Sequence, residues 1–383
     1  MTLANFSNTG RGMMATDDIE AGEVIISVPK SFLITNESVT KLYGPTPLSA
    51  PQLLSLHLVL LSKDGQSSWK PYIDLLPMHF DTMPVKYPQL LLDHLPYSLR
   101  DDVIQQKENI HTDYLSSLKF LKKSNNAIQD MTFEEYEWAW LCVNTRCIHM
   151  TTKRDKTGSI ALAPMLDFLN HTTEAKIESG FNIRTQSFEI KTLTPYKKGE
   201  QVFINYGPHD NAAILKEYGF VLSENTYNFV PLDKEVWSLY TQMESAKGLE
   251  AKKQVLEGTG YFGDYTIKSD EISFRLMNAL RLLALKDGFH HGVMEWHDVV
   301  MGQTDRISLE NERKSLVMLQ SICEGALKEI KSEIEFLSNM TANYPDEQFH
   351  PFALYFLRKI WSEYSDIVSN NLVYLSDKLL RLD

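Results

Sequence analysis

The chain has 383 residues, 43% apolar and 11% aromatic, enough to bury a sizeable core and too apolar for a disordered chain. Its formal net charge of −12 argues against direct nucleic-acid binding, which needs a basic footprint, and suits solubility or basic partners. Cys142, Cys147 and Cys323 are too few for a disulfide framework or a four-thiolate zinc site, and free thiols fit a cytoplasmic or nuclear protein.

The N-terminal MTLANFSNTGRGMM carries no signal-peptide pattern. The leucine-rich run LLSLHLVLL is far shorter than the roughly 20 residues of a membrane span, so no membrane partner is expected. Residues 9–29 read as short strands: TGRGMMAT, a turn over Glu20-Ala21-Gly22, then VIISV closed by Pro29. Residues 50–150 change to a helical pattern. LRDDVIQQKENIHTDYLSSLKFLKK places Val103, Ile104, Tyr114, Leu115, Leu118 and Leu121 near helical spacing. Thr132 and Glu135 have the capping-box arrangement ahead of a helix over EYEWAWLCVNTRCI. A loop, KRDKTGS (153–159), then returns the chain to strands. FNIRT and FEIKT flank Gln186-Ser187 as a hairpin, and QVFINY follows a Lys198-Gly199 turn. Beyond about residue 232 the pattern is helical to the end, with apolar residues at helical spacing through 314–337 and 352–375.

This order predicts an α+β fold: short β-sheets interrupted by a helical insertion, plus an all-α C-terminal domain. Neither group of short strands buries a core alone, so both are expected in one domain. The expected boundaries are 1–50 and 156–231 for the two β portions, 51–155 for the helical insertion and 232–383 for the C-terminal helices.

Four elements hold residues with chemistry, and each has a plain structural use. Gly10-Arg11-Gly12 starts a strand, where glycine allows a tight turn or a close ligand; no GxGxxG opens a helix as in a dinucleotide site. In LAPMLDFLNH, Asp167, Asn170 and His171 interrupt a buried run, and buried polar groups need partners. Arg146 lies in an apolar helix and wants a carboxylate, for which Asp167 is the natural candidate. In EQVFINYGPHDN, Tyr206 ends a strand at a Gly-Pro turn. His209-Asp210 suggest a metal or a relay, yet no converging ligand set, HExxH or GxSxG accompanies them. They read as loop residues, with Asn211 as the cap of the following helix.

In this order, GRG, DFLNH, EQVFINYG and the YGF beginning at Tyr218 resemble the SET-domain protein methyltransferases. The helical insertion and C-terminal helices are similar to the class of the plant Rubisco large-subunit methyltransferase. WKPY, VNTR, LDFLNH, YGPHDN and EYGFV extend the resemblance over residues 8–380.

The resemblance implies a SET fold and transfer of a methyl group from S-adenosylmethionine, with S-adenosylhomocysteine as product and no metal. It implies cofactor contacts at Thr9, Gly10, Arg11, Arg146, Asn170, His171, Tyr206, Tyr218, Gly219 and Phe220. Substrate contacts fall on Arg146, Asp167, Tyr206 and Tyr218, and Tyr206 is the catalytic residue. The implied substrate is a lysine of a histone or another basic protein, and a monomer is expected. Three departures stand beside this. No cysteine-rich zinc segment follows Tyr206, so Tyr218, Phe220 and the C-terminal helices must complete the channel. Few residues precede Gly10, where the class usually has a longer leader with a helix. Ile148 stands where the actin-histidine-methylating branch has asparagine, which favours lysine as acceptor. The alternatives are histidine methylation and a catalytically weak adaptor that binds partners through its C-terminal helices.

Overall fold

The computed structural model describes residues 1–124, 128, 130–150, 159–285, 289–343 and 349–382. They form two compact units built from separate segments. The first comprises Met1–Tyr87, Leu99–His209 and Ala213–Leu222; the second comprises Pro88–Ser98, Asp210–Ala212 and Ser223–Asp383.

The strands of the first unit are β1 (Thr2–Phe6), β2 (Gly10–Met14), β3 (Val24–Pro29), β4 (Ile34–Thr35), β5 (Cys147–Met150), β6 (Ser159–Leu162), β7 (Asn170–His171), β8 (Ile177–Asn182), β9 (Ser187–Thr192) and β10 (Gln201–Ile204). They pair in the orders β1-β2-β10-β7, β3-β9-β8 and β4-β6-β5. Each sheet joins a strand from before the helical stretch to strands after it, which is how segments this short share a core. β7 runs parallel to β10, with Asn170 beside Phe203 and His171 beside Ile204. Met13, Val28, Ala161, Phe168, Phe188, Val202 and Ile204 belong to the core cluster of these sheets.

The helices Ala50–Lys63 and Phe133–Arg146 bury Leu53, Leu54, Leu56 and Val59 with Tyr136, Ala139 and Cys142. The leucine-rich run is thus a buried helix. Thr132 caps the second helix as expected: its side chain accepts from the Glu135 amide at 3.2 Å, and Glu135 accepts from the Thr132 amide at 2.8 Å.

Several local expectations are corrected. The helix carrying Arg146 ends on it; Cys147 and Ile148 turn extended and pair with Leu162 and Ala161 in β5–β6. No Gly or Pro marks that stop, so tertiary pairing sets it. The hairpin turn lies before Ser187, because Asn182 pairs with Ser187 and its Oδ1 accepts from the Arg184 and Thr185 amides. Asn211 is the first residue of the helix Asn211–Tyr218 rather than its cap, and its side chain donates to Glu363 at 2.9 and 3.0 Å. Strand β1 carries little alternation, and its residues are exposed or half-buried. Of the KRDKTGS loop, residues 153–158 lie outside the described residues, and Ser159 opens β6.

The second unit is helical apart from β11 (Val230–Pro231) paired with β12 (Thr266–Ile267). Its long helices Leu309–Asn343 and Pro351–Leu380 pack together. Arg281 forms a buried two-pronged pair with Glu312, at 2.8 and 3.0 Å. Among the described residues no helix is long and apolar enough to cross a membrane.

Candidate active site

The site grows from the end of β10. After Ile204 the Asn205 side chain holds the turn, its Oδ1 accepting from the Gly207 amide (2.8 Å) and its Nδ2 donating to the Thr173 carbonyl (3.2 Å). Tyr206 is thereby locked at both ends. Its amide donates to His171 Nδ1 at 3.0 Å, and its hydroxyl donates to the Leu169 carbonyl at 2.8 Å. Burial pushes the Tyr206 phenol well above its usual range, so it stays protonated.

His171 stacks on Tyr206, with ring centroids 5.0 Å apart, and Tyr206 meets Tyr218 at 4.9 Å. Phe220 closes this aromatic group against both Tyr218 and His171. Because His171 Nδ1 accepts from Tyr206, the neutral ring carries its hydrogen on Nε2, an assignment made from the bonding pattern. That Nε2 is buried without a protein partner, and desolvation lowers the ring's pKa.

Arg146, at its helix end, donates through Nη1 to the Asp167 carbonyl (2.9 Å) and to Asp167 Oδ2 (3.2 Å). The expected ion pair is present. The Asp167 side chain is 0% exposed, and Oδ2 also accepts from the Tyr72 hydroxyl at 2.9 Å. The Phe168 ring lies 5.3 Å from the Arg146 guanidinium and 5.7 Å from that of Arg11. Asp167 Oδ1 and Arg146 Nε are buried without partners.

A cavity of about 240 Å³ is lined by Arg146, Asp167, Tyr206 and Tyr218 together with Ile148, Ile177, Ile190, Ile204, Leu169, His149 and Ser179. All four residues expected at a substrate therefore meet at one cavity. The others expected at a cofactor lie outside its lining. Asn170 Nδ2 donates to the Arg11 carbonyl at 3.0 Å and reaches that of Thr9 at 3.5 Å, while the Thr9 hydroxyl donates to Gln201 at 2.7 Å. A Cβ on Gly12 would meet Gln201 Nε2 at 2.3 Å, whereas the space beside Gly10 is open. Gly219, between the rings of Tyr218 and Phe220, has φ +79°, and a Cβ there would meet Met83 Cγ at 2.8 Å and Thr82 Oγ1 at 2.9 Å.

His209 stays in the loop, its ring against Gly207. Among the described residues no group of three or more His, Cys, Asp and Glu is placed to hold a metal ion. Tyr72, Phe168, Leu169 and Gln201 also join the site; Tyr72 belongs to the WKPY string, Phe168 and Leu169 to DFLNH, and Gln201 to EQVFINYG.

The SET-domain family profile matches residues 10–207, and that of the ribosomal lysine N-methyltransferase 2 C-terminal domain matches residues 228–374. SET domain-containing protein 4 of Homo sapiens is 33% identical over 358 residues, spanning 88% of this chain and 79% of that protein. The actin-histidine N-methyltransferase of Danio rerio is 28% identical over 91% of this chain and 61% of its own length. The crystal structure of the SET domain of LSMT bound to lysine and AdoHcy shares the fold, with a TM-score of 0.65 at 18% identity over 100% of this chain and 88% of that one. The expected α+β architecture is borne out. With the profile spanning the strands that build the site, and a relative a third identical along most of its length, the chain belongs to the SET-domain family of methyltransferases.

Proposed function

We propose that this protein is an S-adenosylmethionine-dependent protein-lysine N-methyltransferase whose substrate is a histone tail or another basic protein. One observation carries the reading: a half-buried, hydrogen-bonded tyrosine stands in the wall of a cavity lined by aliphatic and polar residues together, with the Arg146–Asp167 ion pair among them. Such walls suit the four-carbon stem of lysine and a cationic tip.

The residues present fit the cofactor. Thr9, Gly10 and Arg11 offer backbone with open space beside Gly10. Arg146 Nε and His171 Nε2 are buried donors without protein acceptors, suited to a ligand with carboxylate and ring-nitrogen acceptors. Asn170 fixes the strand backbone that would meet it. Tyr206, Tyr218 and Phe220 supply aromatic faces, with Gly219 fixing the chain between the last two.

Bound S-adenosylmethionine supplies a methyl group on a cationic sulfur, which an unprotonated amine takes by in-line displacement. The protein's part is alignment and desolvation. Lysine has an unperturbed pKa near 10.4, and burial away from water brings it down, easing loss of the proton that blocks attack. Tyr206 is an unsuitable resting base, because its own hydroxyl is protonated and donates to Leu169. Its oxygen and the neighbouring carbonyl are acceptors for weak C–H···O contacts from a polarised methyl group. Ile148 in the cavity wall favours lysine over histidine, since it offers an imidazole no hydrogen-bond partner. The free thiols fit action in the cytoplasm or nucleus.

The test is incubation with labelled S-adenosylmethionine and whole-cell extract, followed by mass spectrometry of the modified peptide. Label is expected on lysine, and Tyr206→Phe is expected to lower the rate on the order of 100-fold, as for loss of a positioned active-site hydrogen-bonding group. Methylated histidine would establish the second acceptor, which the Danio rerio relative's name raises. Calorimetry showing no affinity for S-adenosylmethionine would replace the enzyme with an adaptor, and a fully active Tyr206→Phe would remove the role given to the tyrosine.

A further inference from the structure

The Asp167 carboxylate is shared unequally. Oδ2 accepts from the Tyr72 hydroxyl at 2.9 Å and from Arg146 Nη1 at 3.2 Å, while Oδ1 makes no such bond; the side chain is 0% exposed, although the residue borders the cavity. The hydroxyl of Tyr72, itself buried, fixes the plane of the carboxylate by donating to Oδ2.

We propose that Tyr72 is a positioning residue of the site: it fixes the Asp167 carboxylate so that the carboxylate holds the Arg146 guanidinium in place at the cavity wall. This rests on the lysine-methyltransferase reading for the reaction that Arg146 serves. It assigns a function to a residue 95 positions from its partner, in a short helix, Lys70–Ile73, none of whose residues lines the cavity.

The groups that act electrostatically on Asp167 are Arg146, Tyr72, Cys142, Tyr206 and its own backbone amide. Burial pushes the Asp167 carboxyl up, while Arg146 and the Tyr72 hydrogen bond pull it down. Removing the Tyr72 hydroxyl therefore moves Asp167 further up, and the carboxylate becomes protonated at a higher pH than in the parent protein.

The experiment uses the full chain as wild type, Tyr72→Phe, Asp167→Asn and the double variant. The first measurement is thermal melting of the free protein. Tyr72→Phe is expected to lower the melting temperature near neutral pH, by less as the pH falls, and by little in the Asp167→Asn background. An equal loss in both backgrounds overturns the coupling. The second is the pH profile of kcat/KM with a lysine peptide. Tyr72→Phe is expected to lower kcat/KM roughly tenfold, in line with one hydrogen bond to a charged group, and to move the acid limb to higher pH. Tyr114→Phe, whose hydroxyl donates to the Met131 carbonyl, leaves the limb in place. An unshifted limb in an active Tyr72→Phe overturns the positioning role. Absence of methyl transfer by the wild type would instead fail the methyltransferase reading, and the melting cycle would still decide the Tyr72–Asp167 coupling.

Discussion

His171 and Tyr206 constrain each other through one hydrogen bond, and that bond has a pH sign. Tyr206 N–H donates to His171 Nδ1, so protonating this nitrogen breaks the bond and buries a charge. The folded-state pKa lies below its usual value because of burial. A lowered histidine pKa means stabilisation that is full above the unfolded value of about 6.5 and lost as the pH falls through the folded one. Melting temperature should therefore drop on acidification below about pH 6.5, and drop less in His171→Gln. A pH series of thermal melts checks this, and an identical drop in both proteins would exclude His171 as its source. Legibility at this scale follows distance along the chain. Tyr206 was marked by the resemblance of EQVFINYG, while the strand itself ends two residues earlier, at Ile204. The Arg146–Asp167 pair was readable because two opposite charges interrupt apolar runs 21 positions apart. Tyr72 was not, since nothing near Lys70-Pro71 signals a buried carboxylate far downstream.

At the scale of elements, the site depends on how closely backbones approach. Gly219 combines a left-handed backbone with contact to the loop at Thr82-Met83, whereas Gly44 has φ +78° and open space around it. Alanine at either position carries the left-handed penalty, on the order of 1–2 kcal/mol. Gly219→Ala adds a clash with Met83 and should cost roughly 1–3 kcal/mol more, in the range of overpacked sites. It should also weaken binding of S-adenosylhomocysteine by displacing Tyr218 and Phe220. Thermal melting beside calorimetry tests both, and equal destabilisation of the two variants would mean that the Thr82-Met83 contact yields freely. Elements whose ends carry chemical punctuation were legible, such as the Thr132 capping box and the strand ended by Pro29. Strand β5 was not, because Arg146-Cys147-Ile148 continues an apolar helical rhythm and only pairing with β6 pulls it extended.

For the whole molecule, the order of short motifs carried the fold further than periodicity did. Strands of two to six residues have little pattern of their own, yet each sheet of the first unit joins strands from before and after the helical stretch. Net charge acts at the same scale. At −12 the chain attracts a basic peptide over distances set by the salt, and the screening length falls from about 10 Å at 0.1 M to about 3 Å at 1 M. Steering of this kind changes encounter more than chemistry. Raising the salt from about 0.05 to 0.5 M should therefore increase KM for a lysine peptide with basic flanks several-fold and leave kcat nearly constant. A peptide with the same lysine and neutral flanks should show little change. Initial rates for the two peptides across the salt series separate the possibilities. Equal responses would mean that recognition is confined to the cavity and that the acidic surface serves solubility alone. A selective response would extend the substrate-binding surface beyond the cavity to acidic groups outside it.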